Sequence, residues 1–299
     1  MSDPVILTRS LVRRYGRIVA LDGLSLSVPR ASIYGFLGRN GAGKTTAIRV
    51  LAGLARPASG EATVLGLDPQ RDRVALLERT GFVIEKTLLP SLTGNEIVRF
   101  NRSFFPGWSD ALVKKYADAL EVPMDRRFRK LSQGSRTKLC LLVALAQGAE
   151  LLILDEPTLG LDPVITDQLL RILVDDVAAS GRTILMSSHH LSEVEKIADW
   201  VGIIDRGRLL LEAQLDDIRS AYARVRASGR DLPHSGPAIL TAATTGEISE
   251  YVLRSGAAEF TAELSRQGAV ILEVSPMNLS EIFLELVGKE KPDAVEVLA

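Results

Sequence analysis

Residues 38–45 read GRNGAGKT, and this stretch decides the fold of the chain. It fits the pattern G-x-x-x-x-G-K-[ST], in which the backbone N–H groups of a glycine-rich loop surround a phosphate chain. Before it, Ile33 to Leu37 predicts a buried strand, and after it Thr46 to Leu54 predicts a helix with apolar residues at helical spacing. The helix N-terminus would point at the anion. The sequence therefore predicts a strand–loop–helix unit that binds phosphate.

Residues of this loop are the first candidates for ligand contacts. Lys44 places a positive charge on the outer phosphates, and the Thr45 hydroxyl can bind Mg²⁺. The predicted nucleotide contacts in this region are Gly38, Arg39, Asn40, Gly41, Ala42, Gly43, Lys44, Thr45 and Thr46.

Length and charge limit the classes of protein to consider. The 299 residues have room for one large domain and a small one. The net charge of −1 argues against a nucleic-acid partner. From Glu212 onward there are 14 acidic and 8 basic residues, a net charge of −6, so the preceding residues carry +5. This shift predicts two domains, residues 1–212 and 213–299.

The cysteine content and the hydropathy of the sequence indicate the cellular compartment of the protein. The only cysteine, Cys140, allows no intrachain disulfide, as suits a reducing cytoplasm. The N-terminus has no signal pattern, and every apolar run is far shorter than the roughly 20 residues needed to span a bilayer. If the protein acts at a membrane, we expect another polypeptide to span it.

Apolar strands alternate with helical segments in the predicted large domain, which indicates an α/β fold with a largely parallel sheet. Antiparallel strands are predicted within residues 5–28. Further strands are predicted at 62–67, 81–84, 151–154, 183–186 and 201–204. Helices are predicted at 163–179 and 190–199, and a helical insertion at about 86–148.

The predicted second domain begins with a weak pattern. Residues 222–247 contain Gly, Pro, Ser and Thr clusters and indicate little secondary structure. After them, strands at 249–253 and 269–274 alternate with helices at 257–267 and 278–287. A small α+β unit is therefore expected.

Two carboxylates follow a second apolar strand, at Asp155 and Glu156. The end of a buried parallel strand emerges at the ligand edge of the sheet. There Asp155 can hold Mg²⁺, and Glu156 can polarise an attacking water. A strand ending in a polar turn gives the same pattern, but P-loop enzymes need this second carboxylate.

Residues 131–135 read LSQGS and precede a predicted helix, which Ser132 could cap. Together with the P-loop and the acidic strand end, this motif makes residues 5–212 resemble the ATP-binding subunits of ABC transporters. The resemblance implies a P-loop ABC-type ATPase core that binds ATP and Mg²⁺ and hydrolyses ATP. Its N-terminal strands would be antiparallel, and the helical insertion would belong to the core.

The resemblance implies roles for the LSQGS motif. Ser132 and Gly134 would contact the γ-phosphate of ATP held by a second ATP-binding subunit, so two subunits would close over two nucleotides. Gln133 and Ser135 replace the glycine and glutamine that are usual at these positions of the family's motif.

Three further positions are assigned by resemblance. Tyr15 matches the aromatic residue that stacks on adenine, although an ordinary packed tyrosine remains an alternative. Asp162 belongs to the loop that crosses to the partner subunit. His189 ends an apolar strand and matches the histidine that contacts the γ-phosphate, so Lys44, Glu156 and His189 are the predicted catalytic residues.

Glu85 departs from the family pattern. The family usually has glutamine here, which reaches Mg²⁺ and the attacking water. A carboxylate keeps the metal contact in principle but, when ionised, cannot donate a hydrogen bond. Glutamate at this position is similar to a subgroup that serves drug and peptide-antibiotic exporters, although an exposed acid at a strand end would look the same.

The resemblance implies an energy-coupling subunit of an exporter. A homodimer or heterodimer of ATP-binding subunits would drive a separately encoded transmembrane permease, from the cytoplasmic face of the cell membrane. Residues 213–299 resemble the small accessory domain of exporter-type subunits. The aromatic residues at 104–108 are either a small core between helices or a docking surface for the membrane subunit. Alternatives are a soluble ABC-type ATPase and a regulatory module that holds ATP without turnover.

Overall fold

The computed structural model describes residues 3–84 and 91–288. Two compact units make up the chain, Met1–Glu212 and Ala213–Ala299.

The first unit begins with an antiparallel sheet in which β1 is central and pairs with the other three strands. Its strands are β1 (Ile6–Tyr15), β2 (Ile18–Leu24), β3 (Ser27–Val28) and β5 (Ser59–Val64). The antiparallel strands predicted within residues 5–28 are therefore confirmed.

A six-stranded sheet carries the P-loop. Its order is β10-β9-β4-β8-β7-β6, and the pairs β4–β8, β4–β9, β6–β7 and β7–β8 are all parallel. The strands are β4 (Ile33–Leu37), β6 (Thr80–Val83), β7 (Leu151–Asp155), β8 (Thr183–Ser188), β9 (Trp200–Asp205) and β10 (Arg208–Gln214). Every residue of β4, β7 and β8 is buried, as expected for central strands of a parallel sheet, and these strands are accordingly mostly apolar.

Helices of the first unit fall into two groups. The helices that connect strands along the chain are α1 (Lys44–Leu51), α2 (Arg73–Arg79), α6 (Pro163–Ser180) and α7 (Leu191–Ile197). The helical insertion contains α3 (Gly94–Arg102), α4 (Asp110–Ala119), a short 3-10 helix (Phe128–Lys130) and α5 (Gln133–Ala146). Together with the mostly parallel sheet, these helices confirm the predicted α/β class.

The second unit is built on a four-stranded antiparallel sheet of order β12-β13-β11-β14. Its elements are α8 (Leu215–Ala221), β11 (Ala223–Ser228), β12 (Ile239–Thr245), β13 (Ile248–Leu253), α9 (Ala257–Arg266), β14 (Val270–Pro276) and α10 (Leu279–Val287). Val225, Tyr251 and Leu264 form part of its own buried core.

The sequence-based prediction missed α2, β10, α8, β11 and β12. In β11 the buried face consists of Ala223, Val225 and Ala227. Alanine has little preference for strands, so pairing with β13 and β14 rather than local propensity places this strand. The strand predicted at 62–67 lies at Ser59–Val64, because Leu65 and Gly66 have φ angles of 53° and 78° and form a turn.

Candidate nucleotide site

The glycine-rich loop runs from the end of β4 to the start of α1. Gly41 and Gly43 have φ angles of 82° and 112°, which favour glycine. A Cβ atom at Gly38 would lie 2.5 Å from the carbonyl oxygen of Ile204. The loop therefore requires glycine both for its backbone conformation and for its close approach to β9.

Lys44, the first residue of α1, directs its charge into the loop. Its side chain is only 6 % exposed, and Nζ donates a 2.7 Å hydrogen bond to the Gly38 carbonyl oxygen. The same Nζ lies 3.2 Å from Oε1 of Glu156. The P-loop lysine is therefore tied both to its own loop and to the carboxylate that follows β7.

Ser187 organises the two carboxylates at the end of β7. It lies opposite Asp155 in the parallel β7–β8 pair and is fully buried. Its hydroxyl donates to Oδ1 of Asp155 at 2.6 Å and accepts from the Glu156 backbone N–H at 3.0 Å. Sequence reasoning assigned Ser187 no role, because its place at the end of an apolar strand indicates the ligand edge of the sheet but not its partner.

Glu156 lies at the centre of the cluster. Its backbone φ of 50° is in the left-handed region, which is uncommon for a residue with a side chain and is concentrated at functional sites. Its Oε2 atom lies 2.8 Å from Nδ1 of His189, while Oε1 faces Lys44. Glu156 is thus in direct contact with both of the other predicted catalytic residues.

A cavity of about 930 Å³ lies between the P-loop and the first turns of α5. The predicted site residues that line it are Arg39, Asn40, Gly41, Gly43, Lys44, Thr45, Thr46, Asp155, Glu156 and His189. The cavity is also lined by residues that were not predicted, namely Ile18, Val19, Ala20, Val83, Ile84, Phe128, Gln133, Arg136, Thr137, Cys140 and Leu159. Gly38 and Ala42 support the loop without lining the cavity. The cavity is large enough for a nucleotide.

Tyr15 lies at the end of the β1–β2 hairpin, opposite Ile18, and is 41 % exposed. The Arg13 guanidinium lies 4.6 Å from the centre of its ring. Tyr15 is not among the residues that line the cavity, whereas its neighbours Ile18 and Val19 are. The hairpin therefore presents an apolar surface beside the P-loop, with Tyr15 at its margin.

Ser132 and Gly134 occupy the start of α5. Ser132 is exposed and caps the helix, accepting a 3.2 Å hydrogen bond from the Ser135 N–H. Gly134 is buried, and a Cβ atom there would lie 2.3 Å from the carbonyl oxygen of Gly160. The start of α5 therefore packs on the loop that precedes α6, a contact that sequence reasoning did not foresee.

Asp162 caps α6, accepting hydrogen bonds of 3.1 Å from the N–H groups of Val164 and Ile165. The pKa of its carboxyl is lowered, mainly by the bond from Ile165. Asp162 is exposed and does not line the cavity. Like Ser132, it offers an exposed polar group outside the P-loop cluster.

The fit to Mg²⁺ rests on two side chains. Among the described residues, three or more His, Cys, Asp or Glu side chains nowhere cluster as a metal site. Asp155 and Thr45 nevertheless line one cavity, and their side chains carry hard oxygen donors. This small set fits Mg²⁺, which is commonly held by one or two protein oxygens together with waters and substrate phosphates. Glu85, the third predicted ligand, lies outside the described residues.

Comparison with known proteins agrees with the assignment of this cavity as a nucleotide site. Residues 21–159 match the ABC transporter family. The bacitracin transport ATP-binding protein BcrA of Enterococcus faecalis is 31 % identical over 95 % of this chain and 96 % of its own. The Nod factor export ATP-binding protein I of Cupriavidus pinatubonensis is 33 % identical over 97 % of this chain and 92 % of its own.

The fold agrees with a solved structure as well. An ATP-binding subunit of an ABC transporter superimposes with a TM-score of 0.65 at 27 % identity, covering 72 % of this chain and 92 % of that one. No helix within the described ranges is both long enough and apolar enough to cross a membrane. The chain therefore belongs to the family of ATP-binding subunits of ABC transporters, and its core has the P-loop ATPase fold.

Proposed function

We propose that this protein powers an exporter by hydrolysing ATP at the cavity between the P-loop and β7. The observation that carries the proposal is the position of Glu156, between Lys44 and His189 and directly after Asp155. Around one cavity of suitable size lie the side chains to which we assign the roles of base, phosphate-binding cation and metal ligand, namely Glu156, Lys44 and Asp155.

Each side chain of the site has a separate role in the proposed hydrolysis. Glu156 accepts a proton from the water that attacks the γ-phosphorus, and His189 holds Glu156 and contacts the γ-phosphate. Lys44 and the backbone N–H groups of residues 39–46 bind the phosphate oxygens. Tyr15 and the apolar hairpin beside it receive the adenine.

Asp155 and Thr45 would hold Mg²⁺, with Glu85 as an additional ligand. When bound, the ion would neutralise negative charge on the phosphate groups. Ser187 fixes the Asp155 carboxylate and the Glu156 backbone together, so both carboxylates are positioned before substrate arrives.

Phosphate binding competes with the Lys44–Glu156 ion pair. The Lys44 ammonium has three N–H donors and already contacts three groups, namely Oε1 of Glu156 and the carbonyl oxygens of Gly38 and Arg39. It cannot keep all three contacts while it also binds phosphate oxygens. Nucleotide would therefore draw Lys44 away from Glu156 and leave that carboxylate available to water.

A second ATP-binding subunit would complete the site. Ser132 and Gly134 of one subunit would contact the γ-phosphate bound by the other, and Asp162 would lie at the junction. The exposure of Ser132 and Asp162 supports this proposal, since neither lines the cavity of its own chain. Homodimers and heterodimers both satisfy this geometry.

A separately encoded transmembrane permease would be the driven partner, and the protein would act at the cytoplasmic face of the cell membrane. Two relatives support transport and export, because their names specify bacitracin transport and Nod factor export. Both align over nearly the whole chain, so they also share the region of the second unit. We assign residues 213–299 as an accessory domain on that basis.

Metal dependence tests the hydrolytic proposal. Purified protein is expected to release phosphate from ATP with Mg²⁺, and chelation with excess EDTA should lower the rate by about 100-fold or more. Asp155→Asn should raise the Mg²⁺ concentration needed for half-maximal activity, because the site loses a charged ligand. Asp175→Asn, at an exposed position of α6, is the matched control. Equal rates with Mg²⁺ and with EDTA would contradict the proposed chemistry.

A further inference from the structure

The aromatic residue at the end of the β1–β2 hairpin is held from one side by an arginine. The guanidinium of Arg13 lies over the Tyr15 ring, with Cζ 4.6 Å from the ring centre. The two residues are two positions apart on β1, so their side chains leave the same face of the strand. One face of the Tyr15 ring is therefore covered by a cation.

Arg13 is itself fixed to the segment that follows the P-loop helix. Its Nη1 atom donates a 2.7 Å hydrogen bond to the carbonyl oxygen of Arg56. This segment is tied to the end of α1, because the N–H groups of Leu54 and Ala55 both donate to the Arg49 carbonyl oxygen, at 2.8 and 3.0 Å. The backbone after α1 therefore fixes the position of the guanidinium.

The rest of the guanidinium depends on the tyrosine ring. Nε of Arg13 is buried, and no described residue accepts a hydrogen bond from it. A buried N–H group without an acceptor is costly, and an aromatic face partly compensates a cation for this loss. The contact therefore stabilises the placement of both Arg13 and Tyr15.

The uncovered part of Tyr15 lies beside the cavity. The residue is 41 % exposed although Arg13 covers one face of its ring. In the β1–β2 pair it lies opposite Ile18, which is 71 % exposed and lines the cavity. Directly opposed residues of an antiparallel pair share one face of the sheet. Tyr15 and Ile18 can therefore present one apolar surface to a flat base.

We propose that Arg13 is a positioning residue for the nucleotide base, and that it holds Tyr15 so that adenine stacks on the ring face away from the guanidinium. The proposal rests on the proposed function, in which Tyr15 receives adenine, and it adds the group that orients the ring. A ring that is already fixed in the stacking orientation loses less conformational entropy when the base binds.

The reverse arrangement predicts the opposite effect on affinity. If the guanidinium occupied the ring face that adenine uses, the nucleotide would have to displace it, and removal of Arg13 would strengthen binding. The 2.7 Å hydrogen bond to Arg56 favours a fixed support, because displacement would break this bond.

Calorimetric titration with ADP and with pyrophosphate, both with Mg²⁺, tests the proposal. ADP is not hydrolysed, and pyrophosphate lacks the base, so the comparison isolates the adenine contact. Arg13→Met keeps a long unbranched side chain without the cation, and we expect it to weaken ADP binding roughly two- to fivefold. Pyrophosphate affinity should stay the same. Arg13→Lys keeps a cation and should bind ADP more tightly than Arg13→Met does.

Two further variants separate this role from general charge and from folding. Arg14→Met is the matched control, since Arg14 is exposed and pairs with Val19 rather than with Ile18. At physiological salt it should leave both affinities unchanged. In a chain that already carries Tyr15→Leu, Arg13→Met should cause no further loss of ADP affinity, because no ring remains to be positioned.

Three outcomes would overturn the proposal. They are unchanged or tighter ADP binding by Arg13→Met, an equal loss of pyrophosphate affinity, and an equal effect of Arg13→Met with and without the Tyr15 ring. If Tyr15→Leu weakens ADP binding relative to pyrophosphate but Arg13→Met does not, only the positioning role is rejected. If Tyr15→Leu has no such effect, the placement of adenine is wrong and the role of Arg13 is rejected with it, while ATP hydrolysis by the wild-type protein still tests the catalytic proposal.

Discussion

Replacing Glu156 by glutamine is expected to lower the rate of ATP hydrolysis by about 10²- to 10³-fold while ATP binding is kept. Glutamine has nearly the same shape as glutamate but cannot accept a proton from water at neutral pH. Because ATP would then persist in the closed site, the variant should accumulate a dimer that wild-type protein forms only transiently.

The contact between Glu156 and Lys44 predicts a second measurable effect of Glu156→Gln, on the affinity for ADP. Glutamine removes the charge that holds the Lys44 ammonium at 3.2 Å. ADP is not hydrolysed, so its affinity reports on this competition without interference from turnover, and we expect Glu156→Gln to bind ADP more tightly than wild type. Phosphate release, titration with ADP and size-exclusion chromatography with ATP measure the three effects.

Glu78→Gln is the control, since Glu78 is exposed on α2 and away from the cavity. Hydrolysis at the wild-type rate in Glu156→Gln would remove Glu156 from the proton-transfer step. Unchanged ADP affinity would instead reject the competition for Lys44 and leave the proton-transfer role intact.

Replacing Lys44 by alanine is expected to weaken ATP binding by about 100-fold or more, and to abolish measurable hydrolysis. The side chain is only 6 % exposed, and Nζ holds its charge against the Gly38 carbonyl within the loop. The variant also leaves Glu156 without its ion-pair partner, next to His189. Anionic phosphate would then meet an uncompensated carboxylate.

Equilibrium binding of ATP measures this effect, with thermal unfolding to show that the variant folds. Lys114→Ala, at an exposed position of α4, is the matched control and should bind ATP like wild type. Wild-type ATP affinity in Lys44→Ala would contradict the assignment of residues 38–45 as the phosphate site.

The catalytic residues could be predicted from the sequence because the patterns that reveal them consist of adjacent residues. A P-loop is defined by adjacent residues, and a carboxylate after an aliphatic run emerges at the ligand edge of a parallel sheet. Lys44, Asp155 and Glu156 were identified in this way, and the structure places all three along one cavity.

Contacts between segments that are far apart in the sequence could not be predicted in this way. Ser187 acts on Asp155 across the register of two parallel strands, and Gly134 faces the carbonyl of Gly160 from another loop. Neither contact leaves a periodic pattern in the sequence. The alanine-rich β11 was missed for a related reason, since its pairing with two other strands outweighs a weak local preference.

Mixing two inactive variants tests the central claim most directly, namely that each ATP site of this ATPase is shared between two copies. Lys44→Ala removes the phosphate cation, and Ser132→Arg places a bulky charge at the exposed start of α5. A mixed dimer retains one site with both Lys44 and Ser132 intact, so equal mixing of homodimer-forming chains should restore about a quarter of the wild-type sites. ATP hydrolysis by the mixture at about that fraction of the wild-type rate is the predicted result. Hydrolysis no higher than the mean of the two variants alone would contradict sharing between copies.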